Sequence, residues 1–491
     1  MKLLSLKSGT DIRGTAVGDT AQLSDSVVER IALGFVAFMN KKTGLDGEKM
    51  TVCIGHDSRI SAERIKNALI RALSARGVRV LDCGLCSTPS MFTVCLDTDC
   101  TASIQITASH HPYDKNGLKF FTREGGFEGE DIAEVLSLAE NETPVGENGA
   151  TAEKYDYMPI YCARLRKLFT DALGTEKPLA GLHIVEDAGN GAGGFFANDV
   201  LAPLGADISG SEFLEPDGMF PNHIPNPENE TAMGFICRSV IKNKADLGVI
   251  FDTDVDRAAC VGGDGKEINR NALVALASII ALKNAPGGTI VTDSVTSDGL
   301  KEFIENKLGG VHYRYRRGYK NVINKAKELN SEGIDCPLAI ETSGHAALRD
   351  NYFLDDGAYL MVQIIILLAE LRREGRDIPE LLKELKSPAE AREIRYNIEC
   401  ESFADYGKNV LADLESYCEG FDFLTPAPDN REGFRVNFDR ADGDGWLLLR
   451  LSVHDPVMPL NIESNSVGGA DKIEAFFREF IKRHDKLSVK K

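Results

Sequence analysis

No stretch of the 491 residues stays apolar long enough to cross a bilayer. The most apolar run, Tyr359 to Leu371, is broken by Gln363 and followed directly by charges, so it is expected to be a buried helix. Bases are also scarce: 56 lysines and arginines face 75 acids, for a net charge of −19. That balance argues against broad binding to nucleic acid or an anionic membrane and leaves room for a local basic pocket. The N-terminal MKLLSLKSGTDIRG has too short an apolar patch for a signal peptide. Eleven cysteines follow no repeating framework, and the CxxC at Cys83 and Cys86 has no second one beside it. Several sit in strand-like apolar runs (Cys53, Cys95, Cys260), where cysteine acts as a small buried hydrophobe. Structural thiols and a cytoplasmic location are the expectation.

What is present is the composition of a soluble globular protein, 43% hydrophobic and 27% charged. The length, at about 150 residues per domain, suggests three or four domains. Thr51 to Gly55 reads as a strand, Ser61 as the N-cap of a helix striped by Ile65, Leu69 and Leu73, and Val78 to Leu81 as the next strand. This βαβ unit opens an α/β domain over 1–164. A second α/β domain is expected over 165–268 and a third over 269–387. From 388 to 491, strands and helices cease to alternate, which suggests α+β.

The chain is organised around Ile104 to Phe121, IQITASHHPYDKNGLKFF. Its alternating strand stops in the polar turn Ser109-His110-His111-Pro112, and apolar character returns around Lys119. A serine at a strand tip with histidine and lysine nearby has the ingredients of a nucleophile beside proton carriers, although a polar turn is the ordinary reading of the four turn residues alone. A second signal follows the apolar strand Leu247 to Phe251. Asp252, Asp254 and Asp256 place three hard oxygen ligands in one small loop, as magnesium requires. The spacing also opens an EF-hand, but Arg257 and Gly263 stand where glycine and glutamate are needed, so calcium is excluded.

Other features are weaker. Asp187 to Gly194, DAGNGAGG, lacks GxGxxG and reads as a tight strand-to-helix turn rather than a dinucleotide site. Arg314, Arg316, Arg317 and Lys320 form the densest basic cluster, for which a solvated face and an anion site are both open. Glu341, Ser343 and His345 offer a carboxylate, a hydroxyl and an imidazole suited to a polyol. Arg13 lies in a glycine-rich turn, and Arg450 to Pro456 ends a strand.

Taken together, these pieces resemble the α-D-phosphohexomutase superfamily along nearly the whole chain. The Ser109 segment is similar to its TASHNP-type phosphoserine loop. The resemblance implies three related α/β domains with mixed sheets and a C-terminal α+β domain of TATA-binding-protein-like shape around a central cleft. It makes Ser109 the phosphorylated serine and a metal ligand, with Asp252, Asp254 and Asp256 as the Mg2+ ligands. Arg257 matches the arginine after them. Glu341, Ser343 and His345 match the GExSGH sugar loop, and Arg450 and Ser452 match the RxSxTxP phosphate loop. Arg13 and Lys119 match basic residues near the reacting phosphate. His454 is carried as a substrate contact with Lys320, and His110, Lys119 and His345 are proton-transfer candidates. The departures are His111 for asparagine, Ile340 for glycine, His454 for threonine, and Pro459 where an arginine often follows.

The implied activity is interconversion of hexose 1- and 6-phosphates through phosphoserine and a hexose 1,6-bisphosphate, by a cytoplasmic monomer or homodimer acting on small sugar phosphates. Two alternatives stay open at this stage: a hexose-1,6-bisphosphate synthase using another bisphosphate donor, and a catalytically silent sugar-phosphate sensor.

Overall fold

The computed structural model describes residues 2–146, 150–452 and 455–489. They form two compact units: one runs to Leu273 and resumes over Ser343–Glu380, and the other comprises Val274–Thr342 and the chain from Leu381. All eleven cysteines carry free thiols. Among the described residues no helix is long and apolar enough to cross a membrane.

The first unit begins with a mixed sheet. Thr51–His56 lies between Arg79–Leu85 and Ala102–Ile106, parallel to both, and Lys115–Thr122 and Asp11–Thr15 extend the sheet antiparallel. Strands covered on both faces need not alternate, and every residue of Ala102–Ile106 is buried. Helices Asp25–Thr43, Ala62–Ala75 and Gly129–Ala139 share one core with Ile54, Ile104 and Phe120. Ser61 stands at the N-cap position of Ala62–Ala75, but its side chain makes no capping bond. Its hydroxyl accepts from Asn116 Nδ2 at 2.9 Å instead, a tertiary use that overrides the local cap.

A second sheet follows in the same unit. Ile184–Asp187 and Leu247–Phe251 pair in parallel, and Ala258–Gly262 returns antiparallel with Phe251 opposite Ala258. The wholly buried strand LGVIF therefore ends directly in a short hairpin loop, Asp252 to Arg257. This fixes where the three alternate side chains Asp252, Asp254 and Asp256 emerge.

In the second unit, Thr289–Thr292 lies between Val311–Arg314 and Leu338–Ile340, again in parallel. Then comes an antiparallel sheet in the order Leu424–Pro426, Phe434–Phe438, Gly445–Leu449, Val457–Ser464, Glu390–Ile398, Leu487–Val489. Helices Phe403–Cys418 and Gly469–Ile481 bury Val410, Leu414, Phe477 and Phe480 against it. Three α/β domains thus precede one α+β domain.

The basic cluster is divided. Arg314 is buried and ion-paired with Asp298 at 2.7 Å and Asp429 at 2.8 Å, tying the third domain to the fourth within this unit. Arg431 covers the Tyr313 ring at 4.0 Å. Arg314 is therefore a structural residue and not part of an anion site.

Candidate active site

Ser109 follows the buried strand Ala102–Ile106 and takes a left-handed conformation, φ +51°. Thr107 Oγ1 accepts its N–H at 2.9 Å. The turn aims the serine hydroxyl at the aspartate loop, where it donates to Asp252 Oδ2 at 2.9 Å and receives Arg257 Nη2 at 3.2 Å. Residues 143 positions apart are thereby in direct contact.

All three loop aspartates are buried, and their ligand oxygens lie within 4.8 Å of one another. Lys119 Nζ donates to Asp254 Oδ2 at 2.9 Å and Asp256 Oδ2 at 2.5 Å. Thr88, opening the helix Thr88–Asp97, adds its hydroxyl to Asp254 Oδ2 at 2.5 Å. The other oxygens, Asp254 Oδ1 and Asp256 Oδ1, are buried without a hydrogen-bond partner. An unsatisfied buried carboxylate oxygen is costly, and a divalent cation of the hard, oxygen-seeking kind removes that cost. Crowding points the same way. Burial, with Asp256 and Asp254 alongside, pushes the Asp252 carboxyl well above the usual carboxylate range despite Arg257 and Lys119. Burial also opposes charge on Asp256, but Lys119, His345 and Arg257 outweigh it and hold that carboxyl low. The residues present fit a metal ion.

The candidate proton carriers differ in state. Burial and the Arg257 charge push His110 down to about 2, and Arg257 Nη2 already donates to its Nδ1 at 2.6 Å. His110 is therefore a neutral acceptor. His345 is opposite in character: burial disfavours its charge, but Asp355 and Asp256 raise it to about 9. Its Nδ1 meets Asp355 Oδ2 at 2.5 Å and stands 4.0 Å from Asp256 Oδ1. Gly344, at φ +94°, permits this approach, since a Cβ there would lie 2.6 Å from the Ala258 carbonyl oxygen.

Ser109, His110, Lys119, Arg257, His345 and the three aspartates thus converge. Arg13 sits on the neighbouring strand, paired with Asp11 at 2.8 Å, and its charge reaches His110 and His111. Ser343 is buried in the same unit. Glu341, Lys320, Arg450 and Ser452 belong to the other unit. There Glu341 Oε1 accepts the Gly318 N–H at 2.5 Å, and Lys320 lies in the first turn of Tyr319–Ser331. Arg450 follows Gly445–Leu449, and its N–H donates to the Pro459 carbonyl at 3.1 Å. The Ser452 N–H donates to Val457 O at 3.3 Å. His454 lies outside the described residues.

Four contributors escaped the sequence: Thr88, Asp355, Asn226 and Arg59. Arg59 and Asp57 are both buried, and Arg59 Nε donates to Asp57 Oδ2 at 3.2 Å. Its Nη1 donates to the carbonyls of Pro112 at 2.7 Å and Lys115 at 2.9 Å. Nη2 donates to His111 O at 2.6 Å and to Ser109 O. All five guanidinium N–H groups are used, four of them on the backbone of the serine loop.

Comparison with known proteins agrees with this geometry. Models of phosphoglucomutase/phosphomannomutase α/β/α domains I, II and III match residues 6–145, 160–265 and 269–388. The chain belongs to the phosphoglucomutase/phosphomannomutase family, within the α-D-phosphohexomutase superfamily. Among its relatives is a phosphoglucosamine mutase of Cupriavidus metallidurans, 30% identical over 94% of this chain and 96% of the relative. A phosphomannomutase/phosphoglucomutase of Pseudomonas aeruginosa is 26% identical over 97% and 95%. The crystal structure of a family protein from Burkholderia thailandensis superposes with a TM-score of 0.81 at 27% identity, covering 100% of each chain. Family membership covers the three α/β domains by direct match, and the likeness to whole relatives extends it through the fourth.

Proposed function

We propose that this phosphohexomutase-family chain interconverts the 1- and 6-phosphates of a hexose through a phosphorylated Ser109, with hexose 1,6-bisphosphate as the intermediate. The observation that carries the proposal is the contact of the Ser109 hydroxyl with Asp252 beside two unpartnered carboxylate oxygens. The relatives' names, phosphoglucomutase and phosphomannomutase/phosphoglucomutase, support a mutase over a bisphosphate synthase. Intact Ser109 and aspartates weigh against a silent sensor.

In the forward half-reaction a sugar hydroxyl oxygen bonds to phosphorus, the bond from phosphorus to Ser109 Oγ breaks, and the hydroxyl proton leaves the sugar. The second half-reaction reverses these events at the other end of the bisphosphate. Asp252, Asp254, Asp256 and Ser109 would hold Mg2+, which would supply positive charge to the transferring group. Arg257 and Lys119 neutralise and orient the carboxylates, and Arg13 adds positive potential at the serine turn. His345, oriented by Asp355, exchanges the proton with the sugar, while His110 accepts from Arg257 and keeps that guanidinium in place. Glu341, Ser343, Arg450, Ser452, His454 and Lys320 are the substrate contacts in this scheme. The working form is a cytoplasmic monomer or homodimer, consistent with the acidic composition and the free thiols.

Phosphorus NMR tests the activity directly. Purified protein with Mg2+, a trace of glucose 1,6-bisphosphate and excess glucose 1-phosphate should yield glucose 6-phosphate, with bisphosphate remaining catalytic. Stoichiometric accumulation of bisphosphate from a second donor would instead identify a synthase, and no conversion of any hexose phosphate would end the proposal.

The metal site makes its own prediction. Asp254→Asn removes one charge from the three-carboxylate site and should lower kcat by about a hundredfold or more while the protein still melts cooperatively. Near wild-type turnover at saturating Mg2+ would contradict the assignment.

A further inference from the structure

The loop Pro216 to Pro227, PDGMFPNHIPNP, contains a buried histidine that the reaction scheme does not use. His223 lies at the end of Ile184–Asp187, enclosed by the rings of Phe213 and Phe235 at 5.3 and 5.5 Å. Its Nδ1 is 2.9 Å from the Ile224 carbonyl oxygen, and its Nε2 is 3.0 Å from each oxygen of the Asp187 carboxylate. A carbonyl and a carboxylate only accept hydrogen bonds, so both ring nitrogens carry protons and the ring is an imidazolium. Burial opposes that charge, but Asp187 outweighs it and holds the His223 pKa above its ordinary value. The other charged groups on this side are Glu212 and, across the Phe235 ring, Arg238.

The chain of contacts continues from the same carbonyl. Ile224 O also accepts the Asn226 N–H at 2.8 Å. Asn226 Oδ1 accepts from Arg257 Nη1 at 3.2 Å, and the other arm of that guanidinium reaches Ser109 Oγ. The loop is seated on the DAGNGAGG turn. Asn190 Nδ2 donates to Glu215 O at 2.8 Å, and Asn222 Nδ2 donates to Asn190 Oδ1 at 2.8 Å. Gly189, at φ +55°, meets Pro225 so closely that a Cβ would lie 2.7 Å from the proline ring. The turn therefore braces a loop whose far end holds the active-site arginine.

We propose that the buried Asp187–His223 ion pair is a positioning device for phosphoryl transfer: it fixes the Ile224 carbonyl, and through it Asn226, so that Arg257 is presented to Ser109 in one orientation. His223, Asp187 and Asn226 are positioning residues, resting on the phosphohexomutase activity proposed above. Their loss leaves the nucleophile, the aspartates and the Arg257 bonds to Asp252 and His110 in place but releases Nη1, the arm held by Asn226, so the plane of the guanidinium can tilt.

Two variants test this, with glucose 1,6-bisphosphate as the phosphoryl donor and intact mass spectrometry following phosphate on Ser109. His223→Gln can donate to Asp187 from its amide nitrogen, but its other terminal atom is an oxygen that only accepts and cannot serve Ile224 O. Asn226→Ala removes the far contact, together with the local bond from the Glu228 N–H to the same Oδ1 at 3.0 Å, in a loop position that does not enter the core. Each should slow Ser109 phosphorylation and lower kcat by roughly tenfold to a hundredfold with KM little changed. The double variant should be no slower than the slower single, because both act through one chain of contacts. A folded His223→Gln with the wild-type phosphorylation rate would overturn the proposal, as would full additivity in the double variant. Amide hydrogen exchange across 216–227 gives a readout independent of turnover, and His223→Gln should lose protection there. Unchanged protection would overturn the latch even if activity fell. A wild-type protein that takes up no phosphate at Ser109, yet loses this protection in His223→Gln, would refute the mutase activity and leave the latch standing.

Discussion

Protein carrying Ser109→Ala will take up no phosphate from glucose 1,6-bisphosphate, and its interconversion of hexose phosphates will fall by on the order of 10^4-fold or more, the scale on which removal of a covalent nucleophile is felt. The structure explains why no neighbour can substitute. Thr107 Oγ1 is committed to the Ser109 N–H, and Thr88 is committed to Asp254. Ser109 Oγ bonds both Asp252 and Arg257. Alanine removes one oxygen and leaves the fold intact, so the melting transition should stay near that of the wild type. Phosphate found on another residue of an active variant would refute the assignment.

The second large effect falls on stability. Arg59→Ala should destabilise the first unit by about 3–5 kcal/mol, because it leaves Asp57 as an uncompensated buried charge and takes a donor from each of four loop carbonyls, of which Pro112 O keeps the Lys115 N–H. Arg59→Lys should recover only part of this. Lysine keeps the charge, but its three donors on a single nitrogen cannot reproduce a planar fork serving two pairs of carbonyls. The two variants should also differ in phosphate uptake, since the serine loop is ordered by these bonds rather than by a sheet or helix. Urea unfolding with a fluorescence readout and Ser109 phosphorylation measured in parallel provide the check. An Arg59→Ala protein as stable as the wild type would show that the loop orders itself.

Arg59 also marks where sequence reasoning stops. Ser109, Lys119, the aspartates, Arg257 and His345 are legible because each sits in a short string whose spacing reflects local geometry: a strand tip, a tight hairpin, a turn after a strand. Arg59 serves carbonyls 50 to 56 residues away, and a guanidinium that bonds backbone oxygens imposes no pattern on the side chains around it. Thr88 reaches the Asp254 side chain across 166 residues, and Asp355 meets His345 from 10 residues on, so neither shares a short string with its partner. The α/β alternation was visible from the strand-helix-strand unit of the first domain, and the change near 388 from the loss of that alternation. Ser61 takes the N-cap position its sequence suggests, but its hydroxyl bonds Asn116, on a strand 55 residues away, in place of the helix N–H groups. Arg314 belongs to a conspicuous basic string, yet its partners Asp298 and Asp429 make it a strut. Charge density alone does not distinguish the two.

The hairpin that carries the aspartates contains a β-branched residue, Val255, at φ +68°. Such a residue is rare in this region and is retained only where its surroundings impose it, at a cost of order 1–3 kcal/mol. Glycine would relieve that strain, but Val255 is wholly buried and its side chain would be lost at a cost of about 1.5–3 kcal/mol, so the exchange gains little stability. It would also free the peptide between Asp254 and Asp256 to rotate. The strained valine is held in place by its packing, and selection for heat alone would leave this codon as it is.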